Sequence, residues 1–274
     1  MHLRSIHGGL IRRFGALPAA LLLALFFFLP LLALLAESSV GGLAAVLALA
    51  HDRLVVQALG NSLLLAVTAG SVAVLVGLPL AALLAQQSPQ RRRWMLVLLG
   101  VPLAFSGLVI AYGFILAYGR SGFVTLMLAG IGADPVALGT LIYSTTGLVL
   151  AYAYYLIPRV ALMLYPAIVN LDRRPLEAAL TLGASPQRAV IDIALRELWP
   201  SIAAAWCLVT AIALGTYGTA LALVGTQVNI LPLLIYMKLS DGQTDFQQAA
   251  TLSLLLTALC SCVLALGECL VRRR

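Results

Sequence analysis

The chain has 274 residues, of which 62% are hydrophobic and only 10% are charged, and its mean hydropathy is +1.04. A soluble domain could not bury that much apolar surface, so the composition excludes a soluble protein and predicts a membrane protein. The net charge of +7 does not indicate a nucleic-acid partner, because the basic residues cluster in short segments between apolar runs, as membrane topology requires.

Six apolar runs are long enough to cross about 30 Å of hydrocarbon, which takes roughly 20 helical residues. Backbone polar groups must pair within the segment in lipid, and the runs show no alternation, so helices are predicted and a barrel is excluded. The predicted fold class is an all-α membrane protein, with one transmembrane domain over residues 1–274. The predicted spans are residues 16–36, 58–85, 94–118, 139–169, 201–224 and 248–270.

The first run follows Arg12 and Arg13, as the apolar part of a signal peptide would. It is longer than such a part usually is, and Leu34 disrupts the small-residue cleavage pattern before Ala36. A retained membrane helix is therefore predicted.

Arginine clusters predict the orientation of the spans, since positive charge is retained in the cytoplasm. With a cytoplasmic N-terminus, only Arg53, Arg120 and Lys238 fall outside. Both termini and the segment 170–200 are then expected in the cytoplasm. The clusters are Arg4, Arg12 and Arg13; Arg91, Arg92 and Arg93; Arg173, Arg174, Arg188 and Arg196; and Arg272, Arg273 and Arg274.

Three apolar stretches on the opposite side are too short to cross a bilayer. They are Val40–Ala50, Gly122–Ile131 and Ile230–Leu239. The sequence predicts short helices across the outer mouth of the protein. It leaves open whether they bind an extracytoplasmic partner or only cover the helix ends.

A charged island over residues 170–200 separates the fourth and fifth predicted spans. Pro175 is suited to the first turn of a helix, and Gly183 can adopt the left-handed conformation that ends one. Ser185 followed by Pro186 is typical of an N-cap and the first residue of a second helix. The island is therefore predicted to form a bent hairpin of two short helices.

The island resembles the cytoplasmic signature of the permease subunits of bacterial binding-protein-dependent type I ABC importers. That signature reads Glu-Ala-Ala, three residues, Gly, nine residues, then Ile, any residue, Leu and usually Pro. Glu177, Gly183, Ile193 and Leu195 keep this spacing, and Arg196 stands where Pro is usual. The resemblance implies a loop that couples the permease to an ATPase, formed by Glu177, Ala178, Ala179, Gly183, Ala184 and Ser185.

The resemblance also implies the partners of the chain. They are a second permease subunit, similar or identical, two ATPase subunits that bind ATP and Mg, an extracytoplasmic substrate-binding protein, and the lipid of the bacterial inner membrane. The sequence has no phosphate-binding loop of its own and no metal-ligand cluster, so no catalytic residue, metal or cofactor is predicted in this chain. The segments Asn61–Leu64 and Tyr155–Pro158 are similar to the polyamine, iron, phosphonate, sulfate, molybdate and thiamine branch, which leaves the substrate open.

Polar residues inside the predicted spans are candidates for the translocation path. Arg159 is the one basic residue there, and it either faces an anion or gate, or reaches toward the cytoplasmic interface, or pairs with another group for structural reasons. Tyr152 and Tyr155 share its helix face, and either line the path or pack between helices. The remaining candidates are Asn61 and the polar residues Thr216 and Tyr217 of the small-residue break Gly215–Gly218, which is equally suited to close packing.

A self-contained, ion-coupled secondary transporter is the alternative function. Such proteins generally use acidic side chains within the membrane. Glu268 is the single acidic residue in the predicted spans, and it lies near the end of the last one. The sequence therefore favours the importer permease.

Overall fold

The computed structural model describes residues 18, 20–39, 49, 51–132, 134–225, 227–240 and 245–272. All regular elements within these residues are helices. Six stretches among them are long and apolar enough to cross a membrane. The predicted all-α membrane fold with six spans is confirmed. Residues 16, 17 and 19 of the first predicted span lie outside the described residues.

We number the helices in chain order. They are α1 Ala20–Ser39, α2 Arg53–Gln86, α3 Pro89–Ala104, α4 Gly107–Tyr118, α5 Phe123–Ala129, α6 Pro135–Leu141, α7 Thr145–Val169, α8 Arg174–Thr181, α9 Pro186–Gly215, α10 Gly218–Val224, α11 Leu231–Ser240 and α12 Phe246–Arg272. Two of them contain a turn of π-helix, at Ala24–Phe28 in α1 and at Val190–Ala194 in α9.

The chain divides into two compact units, residues 1–52 with 235–255 and residues 53–234 with 256–274. In the first unit, α1 has none of its described side chains buried. Asp245 caps the start of α12 there, where its carboxylate accepts from the Gln248 N–H at 3.0 Å. The single domain predicted over residues 1–274 stays a prediction.

The second unit is built around α2, α7 and α9, which pack closely because small residues line their contacts. A Cβ at Gly77 of α2 would lie 2.7 Å from Val160 Cγ1 of α7, and one at Gly70 would lie 2.5 Å from Thr210 Oγ1 of α9. Further along, Trp206 Nε1 donates to Ser71 Oγ at 3.1 Å. These pairs show that α2 runs antiparallel to α9.

Two predicted spans are interrupted in the structure. The run 94–118 is not one helix, because Phe105 adopts an extended backbone and Ser106 caps a new helix, α4. The run 201–224 breaks after Gly215, where Thr216 is extended. Hydropathy does not report such breaks, since the residues that form them are as apolar or small as their neighbours.

Other boundaries shift by local capping. The fourth span begins at Thr145 rather than at residue 139, because Ser144 Oγ accepts from the Gly147 N–H. The third candidate span is Gly107–Ala129 rather than 94–118, so α5 in the stretch Gly122–Ile131 belongs to a span, contrary to the prediction. Helix α11 is a short helix over the stretch Ile230–Leu239, as predicted, and ends at Ser240. Of Val40–Ala50, all but Leu49 lies outside the described residues.

Candidate coupling hairpin and translocation path

The predicted hairpin is present, and its turn is closed by backbone hydrogen bonds. Helix α8 begins where Asp172 Oδ1 accepts from the Arg174 N–H at 3.0 Å. At its other end, the N–H of Ala184 donates to the carbonyl of Ala179 at 3.0 Å, and that of Gly183 to Leu180 at 3.1 Å. This pair of bonds is a Schellman motif, which needs a left-handed residue at its turn. Gly183 supplies it, with φ +87°.

The second arm of the hairpin starts as predicted but is not a short helix. Ser185 Oγ accepts from the Arg188 N–H at 3.4 Å, and Pro186 is the first helical residue. From there α9 continues without interruption to Gly215, through the π-turn and through Pro200. Within the predicted loop 170–200, residues 186–200 therefore form the start of the fifth spanning helix. The hairpin is a direct extension of that helix.

The predicted loop residues occupy both sides of this hairpin, which we define as residues 174–189. Glu177 lies in the first turn of α8, where the helix dipole favours a negative charge, and its side chain is exposed. Ala178, Gly183 and Ser185 are exposed, while Ala179 and Ala184 are half-buried. Their small side chains keep the surface of the hairpin flat.

Exposed apolar side chains at the hairpin were not predicted. Leu182, next to Gly183 at the turn, is 87% exposed, and Leu180 is exposed beside it. Val190 and Ile191 are also exposed, at 51% and 59%. Ala189, Ala194 and Leu198 are the buried residues of this part of α9 instead. The sequence signal for this exposure was Leu182, an apolar residue at the turn of a charged island.

The path candidates Tyr152 and Tyr155 bind the break in the fifth span. Tyr152 is fully buried, and its hydroxyl donates to the backbone carbonyl of Thr216 at 2.8 Å. The Tyr155 hydroxyl lies 3.0 Å from Thr216 Oγ1. That threonine hydroxyl uses its own proton on the Ile212 carbonyl, at 2.7 Å, so Tyr155 is the donor. We call Tyr152, Tyr155 and Thr216 the tyrosine staple.

The tyrosine staple explains how a helix can stop within an apolar span. Helix α9 ends at Gly215 and α10 begins at Gly218, which leaves carbonyls without helical partners. In a water-free environment such groups must be bonded by the protein. Tyr152 therefore packs between helices, which is one of the two alternatives given for it in the sequence analysis. A path role for Tyr152 and Tyr155 stays a prediction.

A second break lies beside the first and was missed by the sequence reasoning. Helix α4 starts at Gly107, and a Cβ there would collide with Thr219 Oγ1 of α10. A Cβ at Gly218 would lie 3.5 Å from the backbone nitrogen of Leu108, which is an ordinary van der Waals contact. Helices α4 and α10, each of which follows a break, thus begin next to each other. Pro102 followed by Ser106 and Gly107 was the sequence signal, since a proline followed by an N-cap serine predicts a helix boundary.

The other path candidates occupy different surroundings. Arg159 is half-buried on α7, one turn from Tyr155. Tyr217 is half-buried and caps α10. Asn61 lies away from the staple, near the start of α2, where its amide donates to the Asn229 carbonyl at 2.9 Å. Asn61 therefore anchors the loop before α11, and its path role stays a prediction.

Among the cavities that border the interrupted helices, two have the same volume. One, of about 530 Å³, is lined by apolar and aromatic side chains such as Phe114, Tyr118 and Tyr154. The other, also of about 530 Å³, lies at the opposite ends of α4 and α10 from the breaks. It is lined in part by Arg120, Thr140, Tyr143 and Gln227.

Comparisons with known proteins identify what this arrangement resembles. Residues 74–274 match the family described as binding-protein-dependent transport system inner membrane component. The spermidine/putrescine transport system permease protein PotB of Haemophilus influenzae is 30% identical over 177 residues, 64% of this chain and 61% of that protein. The molybdenum transport system permease protein ModB of Mycobacterium bovis is 29% identical over 193 residues, 69% of this chain and 70% of that protein. The chain spans about three fifths of the length of the spermidine/putrescine relatives it matches.

Solved structures show the same fold. The chain superposes on a chain from the crystal structure of a bacterial alginate ABC transporter in complex with alginate pentasaccharide-bound periplasmic protein. The TM-score is 0.77 at 16% identity, and the match covers 99% of this chain and 97% of that one. At this identity the likeness extends to the fold alone.

Proposed function

Because this chain belongs to the family of binding-protein-dependent transport system inner membrane components and is an ABC importer permease subunit, we propose that its hairpin couples ATP hydrolysis in partner chains to solute uptake. The partners are two ATPase subunits, which bind ATP and Mg, a second permease subunit, similar or identical, and an extracytoplasmic substrate-binding protein. The chain is a multi-pass membrane protein. We place it in the bacterial inner membrane, with the hairpin and both termini in the cytoplasm.

One observation carries this proposal: the hairpin presents exposed apolar residues on a closed turn that is continuous with a spanning helix. Leu182 is 87% exposed in a segment that also holds Arg173, Arg174 and Arg188, a location where hydrophobic exposure marks a protein contact. The Schellman bonds fix the turn, and α9 extends from it for 30 residues. A force applied at Leu182 would therefore reach the break at Gly215 through one uninterrupted helix.

The partner set is supported by the comparisons at the level of kind. The alginate transporter structure contains a periplasmic protein, which supports an extracytoplasmic binding protein for this chain. The relatives are named for spermidine and putrescine, for 2-aminoethylphosphonate and for molybdenum. Their solutes carry charges of both signs, so the relatives leave the charge of the transported solute open.

A negative charge placed at the turn of the hairpin tests the coupling role. Leu182→Glu places a carboxylate where an apolar contact with the ATPase is proposed, and we expect the recovery of the partner ATPase in pull-downs from detergent to fall about tenfold or more. Gln90→Glu is the matched control, because it adds the same charge at an exposed position in the first turn of α3. Recovery with that variant should stay within about twofold of wild type. Full ATPase recovery and full uptake with Leu182→Glu would contradict the coupling role.

Two further variants test the resemblance directly. Glu177→Lys sets a cation against the positive end of α8, and Gly183→Val forces a branched side chain into a left-handed turn. Both should insert in the membrane, since the spans are unchanged, yet bind the ATPase poorly. Labelling of a single cysteine at position 188, after the four native cysteines are replaced, tests the side of the membrane. Reaction with an impermeant reagent in intact spheroplasts would place the hairpin outside.

A further inference from the structure

Arg159 is the one basic side chain within the six predicted spans, and it lies deep in its helix. It stands ten residues before Val169, the end of α7 on the hairpin side, which is about 15 Å along the axis. Half of a hydrocarbon core of about 30 Å is the same distance. Arg159 therefore lies near the middle of the membrane, where snorkelling to the interface is least effective.

This arginine has no hydrogen-bond or ion-pair partner within the part of the chain that the structure describes. The one acidic residue of the predicted spans, Glu268, is exposed near the end of α12 and bonds to Arg272 at 2.8 Å. A charge at the bilayer centre costs from about 2.5 kcal/mol upward, and such residues are retained where they bind something. The counter-charge for Arg159 must come from outside the described chain.

The chemistry and the position of Arg159 favour a ligand that accepts hydrogen bonds. Arginine offers five N–H donors in a planar fork that matches the oxygens of carboxylate, phosphate and similar groups. Arg159 lies one helical turn from Tyr155 on the same face of α7, and Tyr155 bonds to Thr216 at the helix break. Interrupted helices are where transporters bind their solutes, near the middle of the membrane.

A second cation lies at the far end of the same interrupted helices. Helices α4 and α10 both start at the breaks and both end at the polar cavity of about 530 Å³. Arg120 is the charged residue that lines this cavity, together with Thr140, Tyr143 and Gln227. Arg120 at the cavity and Arg159 on α7, one turn from Tyr155, thus carry charge of the same sign. The described residues that line this cavity include Arg120 and no carboxylate, which disfavours a polyamine there.

We propose that the transported solute is an oxyanion and that Arg159 binds it as it passes the helix break. The proposal rests on the permease role stated above and adds the charge of the solute to it. Because the binding energy comes from a charge-assisted contact, removal of the guanidinium should impair uptake, and a lysine at the same position should retain part of it.

Uptake by the complete transporter in proteoliposomes, with its native ATPase and binding protein, tests this. The labelled probes are sulfate, molybdate, phosphate and citrate as oxyanions, spermidine and putrescine as cations, and maltose as an uncharged solute. We expect at least one oxyanion to accumulate and neither polyamine to do so. Arg159→Gln should lower that uptake about tenfold or more, Arg159→Lys should lower it less, and Arg53→Gln, at the exposed start of α2, should leave it within about twofold.

The outcomes separate the alternatives. Uptake of a polyamine or of maltose with none of the oxyanions, or Arg159→Gln within twofold of wild type, would overturn the oxyanion proposal. If Arg159 bound a lipid phosphate instead, the effect of Arg159→Gln would disappear in liposomes made without anionic lipid, which would also overturn it. ATPase recovery with wild type and Arg159→Gln is measured in parallel. If the wild-type permease recovers no ATPase, the coupling role is contradicted. If ATPase recovery is intact and the transporter takes up a polyamine, only the oxyanion proposal is contradicted.

Discussion

The hairpin and the helix break at Gly215–Gly218 both interrupt helices, but they satisfy their backbone groups in different ways. At the hairpin, every closing bond joins residues within five positions of each other, from Ala179 to Arg188. At the break, the Thr216 carbonyl is bonded by Tyr152, which is 64 residues away in sequence. One interruption is encoded locally, and the other depends on tertiary packing.

This difference fits the surroundings that each interruption occupies. The hairpin residues are largely exposed, so water can replace any bond that a substitution removes. The break lies between buried helices of an apolar bundle, where a carbonyl without a partner retains its full desolvation penalty. Substitutions at the break should therefore destabilise the whole unit, whereas those at the hairpin should act on the hairpin alone.

Tyr152→Phe should give the largest effect on stability. The change keeps the ring and removes the hydroxyl that bonds the Thr216 carbonyl, and the site is fully buried. We expect a loss of about 1–3 kcal/mol in the free energy of unfolding, measured by denaturant titration in detergent micelles.

Tyr155→Phe is the matched control for the staple. Thr216 Oγ1 still donates to the Ile212 carbonyl after this change, so no buried group loses its last bond. The loss should be about 0.5–1.5 kcal/mol, smaller than for Tyr152→Phe. An equal or larger loss for Tyr155→Phe would show that the carbonyl of Thr216 is not what the staple protects.

Gly183→Ala sharpens the comparison from the hairpin side. No atom lies within 4 Å of a Cβ at this position, so the cost comes from the left-handed backbone alone, about 1 kcal/mol. Gly215→Ala, also with open space around its Cβ but without a positive φ, should be neutral or slightly stabilising. Hydrogen exchange of the hairpin peptide should accelerate for Gly183→Ala only. Acceleration across α2 and α7 as well would mean that the hairpin is not an independent element.

What could be predicted from the sequence follows the same division. Gly183, Ser185 and Pro186 act on their immediate neighbours, and the hairpin they form was predicted in outline. The six spans followed from hydropathy, which sums over many residues. The tyrosine staple could not be predicted, because nothing in the sequence pairs Tyr152 with Thr216. The interruption at Phe105 and Ser106 was concealed because two extended residues hardly change the hydropathy of a 25-residue run.

Two N-cap serines provide the finest comparison, and one of them, Ser185, the smallest expected loss. Ser185 Oγ accepts from the Arg188 N–H at 3.4 Å, and Ser106 Oγ accepts from the Val109 N–H at 3.5 Å, so the two caps have nearly equal geometry. Both distances are long for an N–H···O bond, which puts the intrinsic value of each cap near the low end of the usual range, about 0.5 kcal/mol.

The different surroundings of the two serines should nevertheless give the two substitutions different costs. Ser185 lies in the exposed hairpin, where water can bond the freed N–H, so Ser185→Ala should cost about 0.5 kcal/mol and affect hairpin exchange alone. Ser106 lies within the predicted span 94–118, where lipid offers no replacement, so Ser106→Ala should cost about 1 kcal/mol or more in the unfolding of the whole unit. Denaturant titration and hydrogen exchange of both variants measure the difference. Equal costs would mean that water reaches the break around Ser106, and the contrast between a locally encoded hairpin and a tertiary break would then hold for the tyrosine staple only.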